Sequence, residues 1–185
     1  MTIMQTKTGR RFDLTNPAST PIDVLDVAWS LSMLARFNGH ATRFYSVAEH
    51  SCRMARFADQ FFGGDRELQL ACLLHDAHEA FLGDVSSPVK NAIGDVWAKF
   101  ESPIVLIVRE QLGAPEPGSP AWDAVKRLDR IMLWNEREQL MAESDGVDWD
   151  FSGEDRVQLP RFALTEYKPA FWTDRFLELY EELRS

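Results

Sequence analysis

Two histidines and two aspartates stand out because their side chains are metal ligands. They are His50, the adjacent pair His75 and Asp76, and Asp129. Imidazole nitrogens and carboxylate oxygens together suit a divalent ion such as Mn²⁺, Co²⁺, Fe²⁺, Ni²⁺ or Zn²⁺. Neighbouring residues on a helix point about 100° apart, so the adjacent pair can bind one ion only if the ion lies between their directions. A metal ion between helices satisfies that condition.

Each of these residues also has an ordinary structural explanation. A single histidine on a helix is usually packed or at the surface, and a His-Asp dipeptide occurs by chance in many chains. Asp129, flanked by Leu128 and Ile131, is predicted to be buried. An unpaired buried carboxylate is costly unless a cation, a hydrogen-bond donor or a proton satisfies it. The four residues therefore favour a metal site, without identifying a reaction.

The elements that must position these ligands are helices. Apolar residues recur at helical spacing, which predicts an all-α fold of about six helices. Strand signals are confined to residues 43–45 and 157–159, and residues 86–88 read as a polar link. The predicted helices are 22–37, 46–62 behind a capping box at Ser46, 66–82, 95–112 with a break or kink before Ile104 because of Pro103, 120–143 behind Ser119, and 169–183.

Length and composition bound the class of protein. A chain of 185 residues with 45% hydrophobic and 26% charged residues predicts one globular domain over 1–185. Its core would span about residues 20–143, followed by a C-terminal wrap and helix over 144–185. The two cysteines, Cys52 and Cys72, lie 20 residues apart without a CxxC spacing, which argues against a disulfide framework.

Charge and hydropathy bear on partners and location. The formal charge of −9, with a basic run only at residues 9–11, argues against a nucleic-acid polymer as partner. The sequence contains no apolar run of membrane-spanning length, and its first residues lack the apolar centre of a signal peptide. We therefore expect a cytoplasmic protein with no membrane partner.

The order of the four ligands, H…HD…D, resembles the motif of the HD-domain superfamily of metal-dependent phosphohydrolases. The resemblance covers roughly residues 20–140 and includes AEHS around His50, LLHDAHEAFLGDV at the His-Asp pair and KRLD at Asp129. The branch it resembles contains the 5′-deoxynucleotidases and related phage and bacterial HD nucleotide hydrolases. That branch is compact, all-α and usually oligomeric, so the resemblance implies a homo-oligomer that acts on a small-molecule nucleotide.

The resemblance also implies roles for individual residues. One divalent ion would be bound by His50, His75, Asp76 and Asp129. The resemblance adds Mg²⁺ to the candidate metal ions named above. Glu79 lies one helical turn after His75 and matches the catalytic acid of the family. Asp84 would be a second acidic group near the substrate.

The substrate side is implied in the same way. Arg36 would bind the substrate phosphate, since its forked donors suit that task. Phe37 would border the base or sugar. Lys90 would be a further phosphate contact, with a surface lysine as the alternative, and His78 would line the pocket, with packing as the alternative.

The implied reaction is the hydrolysis of a deoxynucleotide phosphoester, and three alternatives remain open. The first is a 5′-deoxynucleotidase, which converts a dNMP to a deoxynucleoside and phosphate. The second is a dNTP triphosphohydrolase, which would for example convert dATP to deoxyadenosine and triphosphate. The third is a non-catalytic nucleotide-binding HD module. Glu79 argues against the third, because a binding module needs no proton-transfer acid at that position.

Overall fold

The computed structural model describes residues 2–63, 65–115, 118–143, 146–162 and 167–185. Within these ranges the fold is all-α, as predicted, with eight α-helical segments and one two-stranded hairpin. The strands are β1 (Ile3–Gln5) and β2 (Arg11–Asp13). The helices are α1 (Val24–Met33), α2 (Val47–Phe62), α3 (Arg66–Leu74), α4 (Glu79–Leu82), α5 (Ser87–Ile93), α6 (Asp95–Leu112), α7 (Pro120–Leu140) and α8 (Pro169–Arg184).

The core forms where the longer helices pack on one another. The most extensive helix contacts join α2 to α3 and α1 to α8, and α7 packs on both α2 and α3. Fully buried residues such as Leu31, Met54, Leu73 and Phe176 fill the space between these helices. The three elements that carry the predicted metal ligands are therefore in direct contact.

Local capping signals explain why two of these helices begin where predicted. The Ser46 hydroxyl accepts a hydrogen bond from the Glu49 backbone N–H at 3.1 Å, which caps α2. The Asp65 carboxylate accepts from the N–H groups of Glu67 and Leu68, which caps α3. At the other end of α2, Gly63 adopts a left-handed conformation (φ 80°) that suits glycine.

The predicted first helix was too long at both ends, because α1 spans Val24–Met33. Beyond it, the backbone at Ala35 forms a bridge with Ser46, and the N–H of Arg36 donates to the carbonyl of Tyr45 at 2.9 Å. Pairing with this second segment replaces the hydrogen bonds of a continued helix. Arg36 consequently lies in a short 3₁₀ turn over residues 36–39.

The predicted helix over residues 66–82 is also wrong, because it is interrupted at the His-Asp pair. The His75 ring bonds the carbonyl of Cys72 at 2.8 Å, which is the acceptor that the Asp76 N–H would use in a continuous helix. The backbone instead tightens to i→i+3 bonds, from Ala77 to Leu74 and from Glu79 to Asp76. α4 begins after this turn.

The region around α5 and α6 contains two further differences from the prediction. α5 includes residues 87 and 88 of the predicted polar link over 86–88, because the carbonyl of Ser86 accepts from the N–H groups of Val89 and Lys90. Of the predicted break or kink before Ile104, the break is absent, because α6 continues through Pro103. The proline frees the carbonyl of Lys99, and this exposed residue lies where water can bond that carbonyl.

The strands lie elsewhere than predicted. Residues 43–45 and 157–159 form no strand, whereas the N-terminal segment pairs antiparallel with Met4 opposite Phe12. At the tip of this hairpin, the N–H and hydroxyl of Thr8 donate to the Asp26 carboxylate on α1 at 2.7 and 2.8 Å. Phe12 is buried and stacks on Phe81 with ring centroids 3.9 Å apart.

The remaining helix predictions hold with small shifts. α7 begins after Ser119 as predicted and ends at Leu140, three residues early, while α8 extends to Arg184. The predicted C-terminal wrap that precedes the last helix lies partly outside the described residues, and its described parts contain no helix or strand. None of the described helices is both long and apolar enough to cross a membrane.

Candidate metal centre

The four predicted metal ligands converge from three elements. His50 lies in α2, His75 and Asp76 lie in the turn after α3, and Asp129 lies in α7. His50 Nε2 is 3.2 Å from His75 Nε2, and His75 Nε2 is 3.0 Å from Asp76 Oδ2. Asp129 Oδ1 is 3.3 Å from His50 Nε2 and 4.0 Å from His75 Nε2. The structure therefore brings together all four residues that the sequence singled out.

These separations are compatible with a single ion. Two ligands of one ion cannot lie further apart than twice the metal–ligand bond, which is roughly 4.2 Å for nitrogen and oxygen ligands. His50, His75 and Asp76 meet this limit, because the longest separation among their facing atoms, from His50 Nε2 to Asp76 Oδ2, is 3.9 Å. Asp129 lies at the edge of this cluster and is partly rather than fully buried, with 41% of its side chain exposed. Its exposure opens one side of the cluster to solvent.

The contacts of the two Nδ1 atoms fix which nitrogen of each neutral histidine ring carries the hydrogen. His75 Nδ1 is 2.8 Å from the carbonyl of Cys72, and a carbonyl oxygen only accepts, so Nδ1 carries the hydrogen. His50 Nδ1 is 2.5 Å from Glu136 Oε1 and likewise donates to it. In the neutral rings, both Nε2 atoms are therefore acceptors that face each other and two carboxylates. Such a set of acceptors needs a cation or a proton between them.

The electrostatics of the cluster reflect that need. Burial and Arg36 lower the pKa of His50, but Glu136 and Asp129 outweigh them and raise it to about 9. Burial alone would raise the pKa of Asp76, but the neighbouring His75, His50 and Arg36 hold it well below its usual value. The cluster thus favours positive charge at its centre, which a divalent ion can supply.

Glu136 is the most important residue that sequence reasoning missed. Its side chain is fully buried and accepts from His50 Nδ1 at 2.5 Å, from the Tyr45 hydroxyl at 2.8 Å and from Arg36 Nη2 at 3.1 Å. Burial raises its pKa, but Arg36 and His50 bring it below the usual value. A carboxylate behind a ligating histidine fixes the ring and makes it a better ligand.

One sequence signal could have found Glu136. It follows Asp129 by seven residues, so both lie on the same face of α7, two turns apart. The face also carries Leu128 and Met132, which are buried. A charged residue in register with a candidate ligand and with core residues is unusual without a partner.

Arg36 lies beside the cluster, as its predicted phosphate role requires. Its guanidinium is mostly buried and pairs with Glu136 at 3.1 Å and with Asp76 at 3.5 Å. Burial lowers its pKa, but Glu136 and Asp76 outweigh that effect and keep it well above its usual value, so it stays charged. Within the described part of the chain, its buried Nε has no hydrogen-bond partner.

The two predicted acidic residues, Glu79 and Asp84, lie in a similar electrostatic environment. Glu79 is buried, and its Oε2 has no hydrogen-bond partner among the described residues. Burial, together with the negative charges of Asp76 and Asp84, raises its pKa well above the usual value. Burial likewise raises the pKa of Asp84, against the opposing effect of Arg36. Glu79 thus favours its protonated form more than a free glutamate side chain does.

The structure brings Lys90 and His78 together at a third acidic residue, Glu101 on α6. Lys90 Nζ donates to Glu101 Oε1 at 2.8 Å, and His78 Nε2 lies 3.3 Å from the same oxygen. The bond from His78 and the charge of Lys90 lower the pKa of Glu101 to about 2. The Lys90 ammonium is therefore already paired with a carboxylate.

Phe37 lies next to Arg36 and touches an aromatic residue far along the chain. The Arg36 Cζ atom is 5.5 Å from the centre of the Phe37 ring. The Phe37 ring meets that of Trp149 edge to face, with centroids 6.2 Å apart. This contact could not be predicted from the sequence, because the two residues are separated by 112 positions and no local pattern links them.

Two relatives among known proteins, rather than a family model, place the chain in a family. No family model matches it. It is 38% identical over 141 residues to "Uncharacterized protein RCAP_rcc00048" of Rhodobacter capsulatus, covering 74% of this chain and 72% of that protein. It is 34% identical over 149 residues to "Uncharacterized protein YfdR" of Escherichia coli strain K12, covering 80% of this chain and 78% of that protein. The chain belongs to the same family as these two bacterial proteins.

Proposed function

We propose that this chain is a metal-dependent phosphohydrolase of the HD-domain type that converts a deoxynucleoside monophosphate to a deoxynucleoside and phosphate. The observation that carries the proposal is the cluster of His50, His75, Asp76 and Asp129 with a buried arginine beside it. The four ligands would bind one cation, and the Arg36 guanidinium is a second positive charge beside it. Two neighbouring positive charges suit a substrate that is an anion. A phosphate ester fits this description.

The side chains that would hold the ion are already oriented. His50 and His75 present Nε2 because Glu136 and the carbonyl of Cys72 bind their other nitrogens. A bound divalent ion supplies Lewis-acid chemistry, since it polarises a phosphoryl oxygen and lowers the pKa of water. The exposed side of Asp129 gives substrate and water an approach to the cluster.

Arg36 would bind the phosphate. Its guanidinium stays charged, and its contacts with Glu136 and Asp76 hold it in place. A planar fork of donors matches two phosphate oxygens, which a lysine ammonium does not. Binding the phosphate in this orientation neutralises charge that develops on its oxygens in the transition state.

Glu79 would act as the proton-transfer residue. Its raised pKa favours the protonated form, and its Oε2 is not engaged elsewhere in the described structure. A protonated carboxyl can donate to the departing 5′ oxygen of the nucleoside, which is poor as a leaving group until it is protonated. Asp84 supports this role because its negative charge contributes to the raised pKa of Glu79.

The pairing of Lys90 favours a monophosphate over a triphosphate. A triphosphate needs cationic groups beyond the first phosphate, and the ammonium of Lys90 is bound to Glu101 at 2.8 Å. The dNTP triphosphohydrolase remains the alternative within the same proposal. A non-catalytic binding module is disfavoured by Glu79, because its buried Oε2 has no partner in the part of the chain that the structure describes, and this costs stability that binding alone does not explain.

The substrate class, the cellular location and the oligomeric state expected from the sequence are also part of the proposal. The net charge of −9 supports a small-molecule substrate rather than a nucleic-acid polymer. We further propose that the protein is cytoplasmic and forms a homo-oligomer, as the resemblance implies.

One set of assays tests the proposed function. Metal-free protein is incubated with Mn²⁺, Co²⁺, Mg²⁺ or Zn²⁺ and a panel of dNMPs, NMPs and dNTPs, and the products are identified. We expect inorganic phosphate from dNMPs. Release of triphosphate from dNTPs would instead establish the alternative reaction, and no turnover with any metal would contradict an enzymatic function.

A further inference from the structure

A row of three aromatic side chains begins beside Arg36. The Phe37 ring meets Trp149 with centroids 6.2 Å apart, and Trp149 stacks on Phe151 at 6.1 Å with an interplanar angle of 9°. All three rings are partly exposed. Because the Arg36 guanidinium lies 5.5 Å from the Phe37 ring, a ligand held by Arg36 can reach this aromatic row.

The segment that carries Trp149 is anchored next to a predicted metal ligand. Arg130 follows Asp129 in α7, and its Nη2 donates to the carbonyl of Asp150 at 2.5 Å and to Asp155 Oδ2 at 2.8 Å. Asp155 is buried and also accepts from the N–H and hydroxyl of Ser152. These bonds hold the segment against α7 and thereby place Trp149 beside Phe37.

Backbone conformation marks the same place. Three non-glycine residues in the described ranges have positive φ angles: Phe37 (56°), Asn38 (52°) and Asp150 (52°). All three belong to the aromatic row or adjoin it in sequence. Such conformations are strained and tend to persist at binding sites, where they aim a side chain.

We propose that Trp149 is a specificity-determining residue whose indole ring contacts the base of the bound nucleotide, opposite or alongside Phe37. This inference rests on the proposed function, because a phosphate at Arg36 is what directs the rest of the ligand towards the row. Aromatic side chains bind any heteroaromatic base through its π-face, whereas they contribute little to a sugar phosphate that lacks a base. The ligand class is therefore a nucleotide with an intact base.

The test compares a nucleotide with its base-free counterpart. Binding of dAMP and of deoxyribose 5-phosphate is measured calorimetrically with Mn²⁺ present, in a Glu79→Gln background that slows turnover. We expect Trp149→Ala to weaken dAMP binding on the order of 10- to 100-fold and to leave deoxyribose 5-phosphate binding unchanged. Trp149→Leu keeps apolar bulk without the π-face and should show the same selective loss, while Trp149→Phe should restore most of the affinity.

Phe171→Ala serves as the matched control, since the partly exposed Phe171 belongs to a different aromatic cluster, in which it contacts Tyr167 and Trp172. It should change neither affinity. An equal loss for both ligands, or no loss for either, in a folded Trp149→Ala or Trp149→Leu variant would overturn the assignment. Failure of the unaltered site to bind dAMP would overturn it as well. Selective loss of dAMP binding in a protein that hydrolyses no phosphoester would support the role of Trp149 while refuting the proposed function.

Discussion

Replacing Glu136 with glutamine removes a negative charge that three buried groups share. In the wild type, its carboxylate accepts from His50 Nδ1, the Tyr45 hydroxyl and Arg36 Nη2 at 2.5, 2.8 and 3.1 Å. The glutamine oxygen can still accept, but its NH₂ group would face either a ring N–H or the guanidinium. Two donors cannot satisfy each other, so at least one buried contact is lost.

The magnitude follows from what each partner retains. Breaking a buried ion pair by removing one member costs about 3–5 kcal/mol. Arg36 keeps Asp76 at 3.5 Å as a second partner, so we expect the lower end of that range. For a chain of this size, a loss of about 3 kcal/mol lowers Tm by roughly 6–12 °C. Metal affinity should fall by about 10- to 100-fold, because the carboxylate that orients His50 is lost.

Denaturant unfolding of the metal-free protein and calorimetric titration with Mn²⁺ measure the two effects separately. Glu138→Gln is the matched control, since it makes the same substitution two residues further along α7 at a side chain that is 41% exposed. A surface pair of this kind contributes about 0–1 kcal/mol. Wild-type stability and wild-type Mn²⁺ affinity in Glu136→Gln would refute the role assigned to this network.

Three further predictions concern the neighbouring residues. Glu79→Gln should keep metal and substrate affinity while lowering kcat by roughly 100-fold or more in steady-state assays; wild-type turnover would show that Glu79 transfers no proton. Arg36→Lys should lower kcat/KM about tenfold or more, and to a similar extent, for deoxyadenosine, deoxyguanosine and thymidine monophosphates, because charge remains but the fork is lost. A change only in the ranking of bases would contradict its phosphate role. The Glu101 pKa of about 2, against 4.5 for the free side chain, stabilises the fold above pH 4.5, and this contribution disappears as the pH falls from 4.5 to 2. The free energy of unfolding, followed over that range by denaturant titration, should fall less steeply in Glu101→Gln than in wild type; identical slopes would contradict the pairing with Lys90 and His78.

Much of the helical framework could be predicted because its signals are local. Ser46 and Asp65 cap their helices through their own side chains, and these bonds involve residues only two or three positions away. The prolines at the starts of α7 and α8 are also local signals, because the fixed φ angle of proline suits the first position of a helix. Such contacts are readable from a few consecutive letters.

The parts that the sequence did not predict depend on distant partners. The hairpin is held to α1 by bonds between Thr8 and Asp26, 18 positions apart. α1 ends early because the segment around Arg36 pairs with Tyr45 rather than with its own helix. Each outcome is decided by tertiary contacts that override local periodicity.

The residues of the candidate site likewise divide into those that local sequence signals predict and those whose roles depend on distant contacts. The motif residues were found from their types and order, and the structure brings all four within reach of one ion, although metal binding itself stays a prediction. Glu136 and Trp149 escaped because their roles arise only when α7 and the segment after it meet Arg36 and Phe37. A helix pattern predicts which face a residue occupies, but not which distant side chain that face will meet.

The central claim is that phosphate release depends on an ion held by the two histidines and two aspartates. Chelator-treated protein is titrated with Mn²⁺ while bound metal and phosphate released from dAMP, dGMP and dTMP are measured in the same samples, with Asp129→Ala in parallel. We expect phosphate release to rise in proportion to bound Mn²⁺ and to saturate at one ion per chain. In Asp129→Ala, phosphate release and metal binding should be lost together. Phosphate release at the full rate from the metal-free protein, or full metal content and activity in Asp129→Ala, would contradict this claim.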